Sequence, residues 1–316
     1  MINTRDSIKP ESTSNTPNGE VDPLGWKVIS PTSAPQIREI EFDDLTLTYA
    51  EQGKGELVIL VHGALGDYRT WSPLMASLAR KYHAISYSRR YHQPNGSPVG
   101  AVDYTYGRHV ADLISLIQAL KLGPAHLIGH SYGATVAALA ATERPEMVNS
   151  LILGEPGLFS IFADVEGRVS ARLHRIALHV VQKLCETGDQ ELAVREYLNI
   201  VTGKDALHEL PIEAQLVIKQ NAHTLGPMLR TYFEPTEFDR QRARRINTPT
   251  LIITGEFSPA PYRIIAQDLH RCMPNSELLT LAGASHGLQL ENPAAFGNAV
   301  FDFLSRNEMA VKREAN

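Results

Sequence analysis

The chain has few cysteines for its 316 residues: only Cys185 and Cys272, too few for a disulfide framework and without any Cys/His metal spacing around them. That usage suits a reducing compartment, with both thiols acting as small buried hydrophobes. No apolar run approaches the length of a membrane helix, and the N-terminus lacks the basic start and hydrophobic stretch of a secretion signal. The chain therefore reads as cytoplasmic, without a membrane partner. Basic residues are not in excess either, with 30 Lys and Arg against 35 Asp and Glu for a formal charge of -5. With no basic cluster to follow a phosphate backbone, nucleic acid is excluded as a partner. No Walker or dinucleotide glycine motif occurs, nor a metal-ligand set, so neither a cofactor nor a metal is implied. There is no internal repeat.

What is present is ordinary globular chemistry. Hydrophobic residues make up 43% and charged residues 21%, and the length suits one large α/β domain carrying an insertion. Residues 1–36, rich in Ser, Thr, Pro and Asn, are too polar to bury a core and read as a flexible leader. Residues 306–316 read as a polar tail. Ile37 to Phe42 and Leu45 to Ala50 alternate apolar and polar residues, as in an edge hairpin. Leu57-Val58-Ile59-Leu60-Val61 is continuously apolar, the mark of a strand covered on both faces. Helix patterns (about 70 to 81 and 104 to 120) then alternate with strands (82 to 88, 125 to 129 and 150 to 154). This alternation predicts a doubly wound, mostly parallel α/β sheet. From 157 to 245 strand signals give way to helical ones, with Val169, Leu173, Ile176, Val180 and Leu184 at helical spacing. The sheet pattern resumes at Thr250, so 37–156 and 246–305 form the core around a helical insertion.

Chemistry concentrates at a few points. Gly129-His130-Ser131-Tyr132-Gly133 matches G-x-S-x-G between a strand and a small-residue helix, where a strained turn presents a serine and any Cβ at the glycines would meet backbone. A His62-Gly63-Ala64 loop follows the strand ending at Val61, and Ser285-His286-Gly287 follows the last strand. In this order the chain resembles the α/β-hydrolase fold superfamily of lidded serine hydrolases over residues 37 to 305. The resemblance implies Ser131 as nucleophile, His286 as general base, the backbone N–H groups of Ala64 and Tyr132 as the oxyanion hole, and 157–245 as a helical lid.

The third member departs from the common pattern. The position three residues after Gly255, usually an Asp, is Ser258, whose hydroxyl cannot offset an imidazolium. Two carboxylates remain open: Glu155, at the end of the strand after the elbow helix, and Glu256, one residue past Gly255. Glu155 is favoured, because zearalenone-type lactonases and one group of haloalkane dehalogenases place their acid there. Ser131 in place of an aspartate argues against an alkyl-enzyme route. The expected activity is cofactor-independent hydrolysis of a small-molecule carboxylic ester or lactone through an acyl-enzyme. Carbon–carbon bond hydrolysis of a meta-cleavage product, or a slow-turnover ligand sensor on the same fold, stand as alternatives. Leu158, Phe159, Phe162, Met228, Leu229, Tyr232 and Phe233 are candidates to line a pocket for an apolar substrate portion. The loop Arg89 to Gly96 reads either as a solvated turn or as a device in which an arginine or His92 orients an acid or a polar substrate group.

Overall fold

The alternation of long apolar strands with amphipathic helices builds one eight-stranded sheet, seen in a computed structural model that describes residues 34–42, 44–96, 103–232 and 238–308. Most of the expected leader and tail, and Phe233, lie outside the described residues. The hairpin strands β1 (Gln36–Phe42) and β2 (Leu45–Gln52) pair antiparallel at one edge. The remaining strands are β3 (Leu57–Val61), β4 (His83–Tyr87), β5 (Ala125–His130), β6 (Val148–Gly154), β7 (Thr250–Gly255) and β8 (Ser276–Leu281). These six run parallel to one another, β2 pairs antiparallel with β4, and the order across the sheet is β1-β2-β4-β3-β5-β6-β7-β8.

Every residue of β3 is buried, and the pleat sends alternate side chains to opposite cores. Val58 and Leu60 join α1 (Ser72–Leu78) on one face, while Ile59 and Val61 join α2 (Tyr106–Leu120) and α3 (Tyr132–Glu143) on the other. The chain steps from β3 to one side for β4 and to the other for β5, so the strand order switches direction between β3 and β5. Their carboxyl ends open the crevice where α/β sheets hold ligands. The expected helix over 70–81 divides, because Pro73 suits only a helix's first turn; Tyr68–Trp71 form a tighter turn before α1.

The glycines around Ser131 are required sterically. A Cβ on Gly133 would lie 2.2 Å from the Val61 carbonyl oxygen, and one on Gly129 would lie 2.6 Å from the Ala134 Cα. These contacts, with the buried alanines of α3, let the helix sit directly on the sheet.

Between β6 and β7 the described residues form α4 (Val165–Thr187), α5 (Gln190–Thr202), α6 (Ile212–Gln220), α7 (Leu225–Thr231), α8 (Arg240–Ala243) and short turns. After β7 come α9 (Ala260–Cys272), α10 (Leu288–Glu291) and α11 (Pro293–Arg306), the last two following β8; α11 completes the core beneath α1. Cys272 is buried in α9 as expected, whereas Cys185 is only partly covered. No helix among the described residues is long and apolar enough to cross a membrane.

The aliphatic stripe of α4 faces outward, with Val169, Leu173, Ile176 and Val180 each more than half exposed. Its inner face is Gly167, His174, Leu178 and Val181. A Cβ on Gly167 would lie 2.4 Å from the Phe162 ring, so the small residue, not the greasy stripe, sets the side that packs closely. Two truncations separate the faces. In urea unfolding, Leu178→Ala is expected to cost about 2–4 kcal/mol, and Leu173→Ala less than about 0.5 kcal/mol; equal costs would contradict this orientation.

Candidate active site

Ser131 occupies the turn between β5 and α3 with φ 53° and ψ -119°, and its N–H donates to the Gly154 carbonyl at 2.7 Å. Glu155, the residue after β6, also has a left-handed φ of 47°. Such backbone costs about 1–3 kcal/mol for a residue with a Cβ and persists only where its surroundings enforce it. Here it turns the Glu155 carboxylate under the loop that follows β8. The His286 ring of that loop lies between the two: Nδ1 to Glu155 Oε2 is 2.6 Å, and Nε2 to Ser131 Oγ is 2.9 Å. All three residues are at most 4% exposed.

The other carboxylate oxygen, Oε1, accepts from the Thr254 hydroxyl at 2.7 Å and the Gly255 N–H at 2.9 Å. Burial raises the carboxyl's pKa, but the hydrogen bond and charge of His286, with the Thr254 hydroxyl, outweigh it and hold it below the ordinary value. An ionised Glu155 makes Nδ1 the protonated nitrogen, leaving the Nε2 lone pair facing the Ser131 hydroxyl. The ring is further fixed by stacking on Tyr262, with centroids 4.2 Å apart, and by His130, whose Nε2 donates to the His286 carbonyl at 2.7 Å. Burial and the nearby His286 push His130 down to about 3, so it stays a neutral donor.

Glu256 is not part of this arrangement. It is exposed, and its carboxylate accepts from the Gly283 N–H at 2.9 Å, because the strand pleat at β7 turns its side chain away from His286. Ser258 is buried beside Gly255, and a Cβ on Gly255 would come 2.7 Å from its hydroxyl oxygen. Gly63 packs on the serine turn, its missing Cβ 3.3 Å from Ser131 Cβ, which brings Ala64 to the crevice. Tyr132 opens α3, so its N–H is among those without an intrahelical acceptor. Its side chain is packing rather than pocket wall: it stacks on Tyr106 at 4.3 Å and donates to the Tyr104 carbonyl at 2.9 Å.

A cavity of about 630 Å³ meets Ser131, His286 and Ala64, a volume within the usual range for small-molecule sites. Its far walls are apolar side chains of α5 and α6, including Leu198, Val201, Leu216 and Val217. None of Leu158, Phe159, Phe162, Met228, Leu229 and Tyr232 lines it; they pack the helical segment onto the core instead. The loop from Arg89 is not a solvated turn: Arg89, Arg90 and His92 are all at most 4% exposed. Arg90 is paired with Asp112 at 2.7 Å, and His92 lies between the Gly66 carbonyl and the Tyr104 hydroxyl.

A family model described as "Alpha/beta hydrolase family" matches residues 58–299. The chain belongs to the alpha/beta hydrolase family. Its hydrolase relatives include the 2-(acetamidomethylene)succinate hydrolase of Mesorhizobium japonicum, 23% identical over 84% of this chain and 94% of that protein. Another is the 2-hydroxy-6-oxo-6-(2'-aminophenyl)hexa-2,4-dienoic acid hydrolase of Metapseudomonas resinovorans, 25% identical over 82% and 87%. Among solved structures, the enol-lactonase of Burkholderia xenovorans superposes with a TM-score of 0.70 at 18% identity, covering 85% of this chain and 100% of that one. The chain thus has the alpha/beta hydrolase fold, and its family and named hydrolase relatives support a hydrolase enzyme.

The sequence patterns mark neither His130 nor Tyr262 as a site residue. A signal for His130 was its adjacency to Ser131; Tyr262 carried none, since only the fold brings α9 to His286. Because the folded Glu155 carboxyl titrates below its ordinary value of 4.5, the stability it lends is complete above that value and lost as pH falls through the folded one. The unfolding free energy of wild type relative to Glu155→Gln is therefore expected to rise with pH across the acid carboxylate range and then level off. A difference flat across that range would contradict an ionised Glu155.

Proposed function

We propose that this hydrolase cleaves an uncharged carboxylic ester or lactone through an acyl-enzyme on Ser131, supported by the unbroken hydrogen-bond chain Glu155–His286–Ser131 at the floor of an apolar cavity. Ser131 Oγ attacks the carbonyl carbon while its proton passes to His286 Nε2. The tetrahedral oxyanion accepts from the Ala64 and Tyr132 N–H groups. His286 then returns the proton to the leaving alkoxide oxygen as the ester C–O bond breaks. Water repeats the sequence on the acyl-enzyme, and Glu155 remains ionised throughout, stabilising the imidazolium. The helices of 157–245 act as the lid, supplying through α5 and α6 the wall that excludes water from the acyl group.

The cavity electrostatics favour a neutral substrate. Among its described lining residues Arg69 is the sole lysine or arginine, and that guanidinium is tied to Asp67 at 2.6 Å and to Gln220 at 2.6 Å. Glu213 and Glu291 add negative charge. The dienoic acid named for the Metapseudomonas resinovorans relative carries a carboxylate that the described lining residues meet with no uncommitted cation. Carbon–carbon cleavage of such an acid is accordingly the weaker reading.

Labelling with a fluorophosphonate is expected to modify wild type and to disappear in Ser131→Ala, alongside turnover in a panel of neutral esters, lactones and vinylogous diketone acids. Ligand-induced thermal stabilisation with negligible turnover of every member would instead identify a sensor. Within the panel, Glu155→Gln is expected to lower kcat by about 10²- to 10⁴-fold, while Glu256→Gln leaves it within about twofold. The reverse ranking would overturn the assignment of the acid.

A further inference from the structure

Arg89 is 1% exposed, yet no carboxylate among the described residues pairs with it. Its Nη1 lies 3.5 Å from His109 Nε2 of α2, and its carbonyl partners lie behind the loop that carries Ala64. Nη2 donates to the Gly63 carbonyl at 3.0 Å and Nε to the His62 carbonyl at 3.1 Å. The backbone N–H of Arg89 donates to His62 Nε2 at 2.9 Å, so the proton of that ring sits on Nδ1, which donates to the same Gly63 carbonyl at 2.8 Å. Burial, with the charge of Arg89 beside it, keeps His62 well below the ordinary imidazole value and therefore in this neutral tautomer. One carbonyl oxygen thus receives two donors. The guanidinium also lies 4.5 Å from the ring centroid of Tyr132.

The Gly63 carbonyl belongs to the peptide unit whose N–H is that of Ala64. The unit is trans, so its C=O and N–H point in opposite directions. Holding the oxygen toward Arg89 aims the Ala64 N–H away from it, on the side where Ala64 lines the cavity with Ser131. A cation on the carbonyl oxygen also draws electron density from the nitrogen, making its N–H a stronger donor in a buried setting.

We propose that Arg89 is a positioning residue for the oxyanion hole: it holds and polarises the Gly63–Ala64 peptide through its carbonyl and braces Tyr132, bearer of the other donor, through its ring. The inference rests on Ser131 being the nucleophile. It assigns the buried guanidinium a task distinct from the Arg90–Asp112 ion pair next to it.

The test compares Arg89→Met and Arg89→Lys with wild type, using a short-chain nitrophenyl ester and counting competent sites by complete fluorophosphonate titration. Per competent site, Arg89→Met is expected to lose about 10- to 100-fold in kcat with KM within about twofold, since the interaction strengthens only as the oxyanion forms. Arg89→Lys, which keeps a cation with fewer donors, should fall between. Selective 15N-alanine labelling reads the Ala64 amide directly, and its proton resonance is expected to move upfield in Arg89→Met. If kcat per titrated site matches wild type, or the Ala64 amide does not move, Arg89 serves packing alone and the proposal fails. Failure of wild type to turn over any ester would count against the proposed activity, whereas the Ala64 amide still decides whether Arg89 orients that peptide.

Discussion

The contact on which the site depends is the 2.6 Å hydrogen bond between His286 and a carboxylate that has no solvent exposure. An ionised carboxyl removed from water is costly unless donors replace its hydration. Glu155 gains three, from the His286 ring, the Thr254 hydroxyl and the Gly255 backbone. Two of them come from the end of β7, so the pairing of β6 with β7 builds the part of the carboxylate's pocket that faces away from His286. The left-handed backbone of Glu155 completes the arrangement, since an extended continuation of β6 would carry its side chain along the pleat rather than under the β8 loop. With Ser258 in place of the more usual aspartate, the carboxylate reaches the same imidazole nitrogen from the neighbouring strand. The ring does not need to know which strand supplies its acceptor; it needs an ionised oxygen in line with Nδ1.

The opposite side of the serine is organised by cations and neutral rings. His62, His92 and His109 are all buried near Arg89, and burial together with that charge keeps each well below the ordinary imidazole value. Neutral imidazoles have one donor and one acceptor nitrogen, so they can relay direction through a hydrogen-bond network without adding charge. Arg90 is neutralised by Asp112, whereas Arg89, with no carboxylate paired to it among the described residues, sets a positive charge beside the loop carbonyls. Its potential lies where negative charge develops on the proposed reaction path. An aspartate paired with Arg89 would have cancelled it, which gives a physical reason for the ion pair to be made by Arg90 instead.

Much of this was legible in the chain because it rests on local rules. A strand buried on both faces must be apolar throughout, which identified β3. A turn with backbone packed against it must use glycine, which marked Gly129 and Gly133. The missing aspartate at Ser258 left Glu155 and Glu256 open, and the family resemblance, not a local rule, favoured Glu155. What was not legible depends on which surfaces meet. Helical spacing located α4 but could not say that its aliphatic stripe faces outward while Gly167 and His174 face in. Phe159, Phe162 and Tyr232, expected around the cavity, are packing, and the walls come from α5 and α6, because an amphipathic pattern reports burial without naming the neighbour. The Arg89 loop stayed open between a solvated turn and an orienting device for the same reason: a charged side chain reads as exposed until a fold surrounds it with carbonyls and rings.

The cavity brings these two kinds of information together. Its apolar walls could accept many substrates, and shape alone would not choose among them. Charge is more selective. Arg69 lines the cavity but is held by Asp67, whose carboxylate also receives Asn221 at 2.8 Å. Releasing the guanidinium to bind an anionic substrate would leave Asp67, which has no solvent exposure, with fewer donors than its charge requires. A neutral ester or lactone asks for no such exchange. On the proposed reading such a substrate sets its apolar part against α5 and α6 and develops negative charge only at the carbonyl oxygen, beside the Gly63–Ala64 peptide whose carbonyl Arg89 holds.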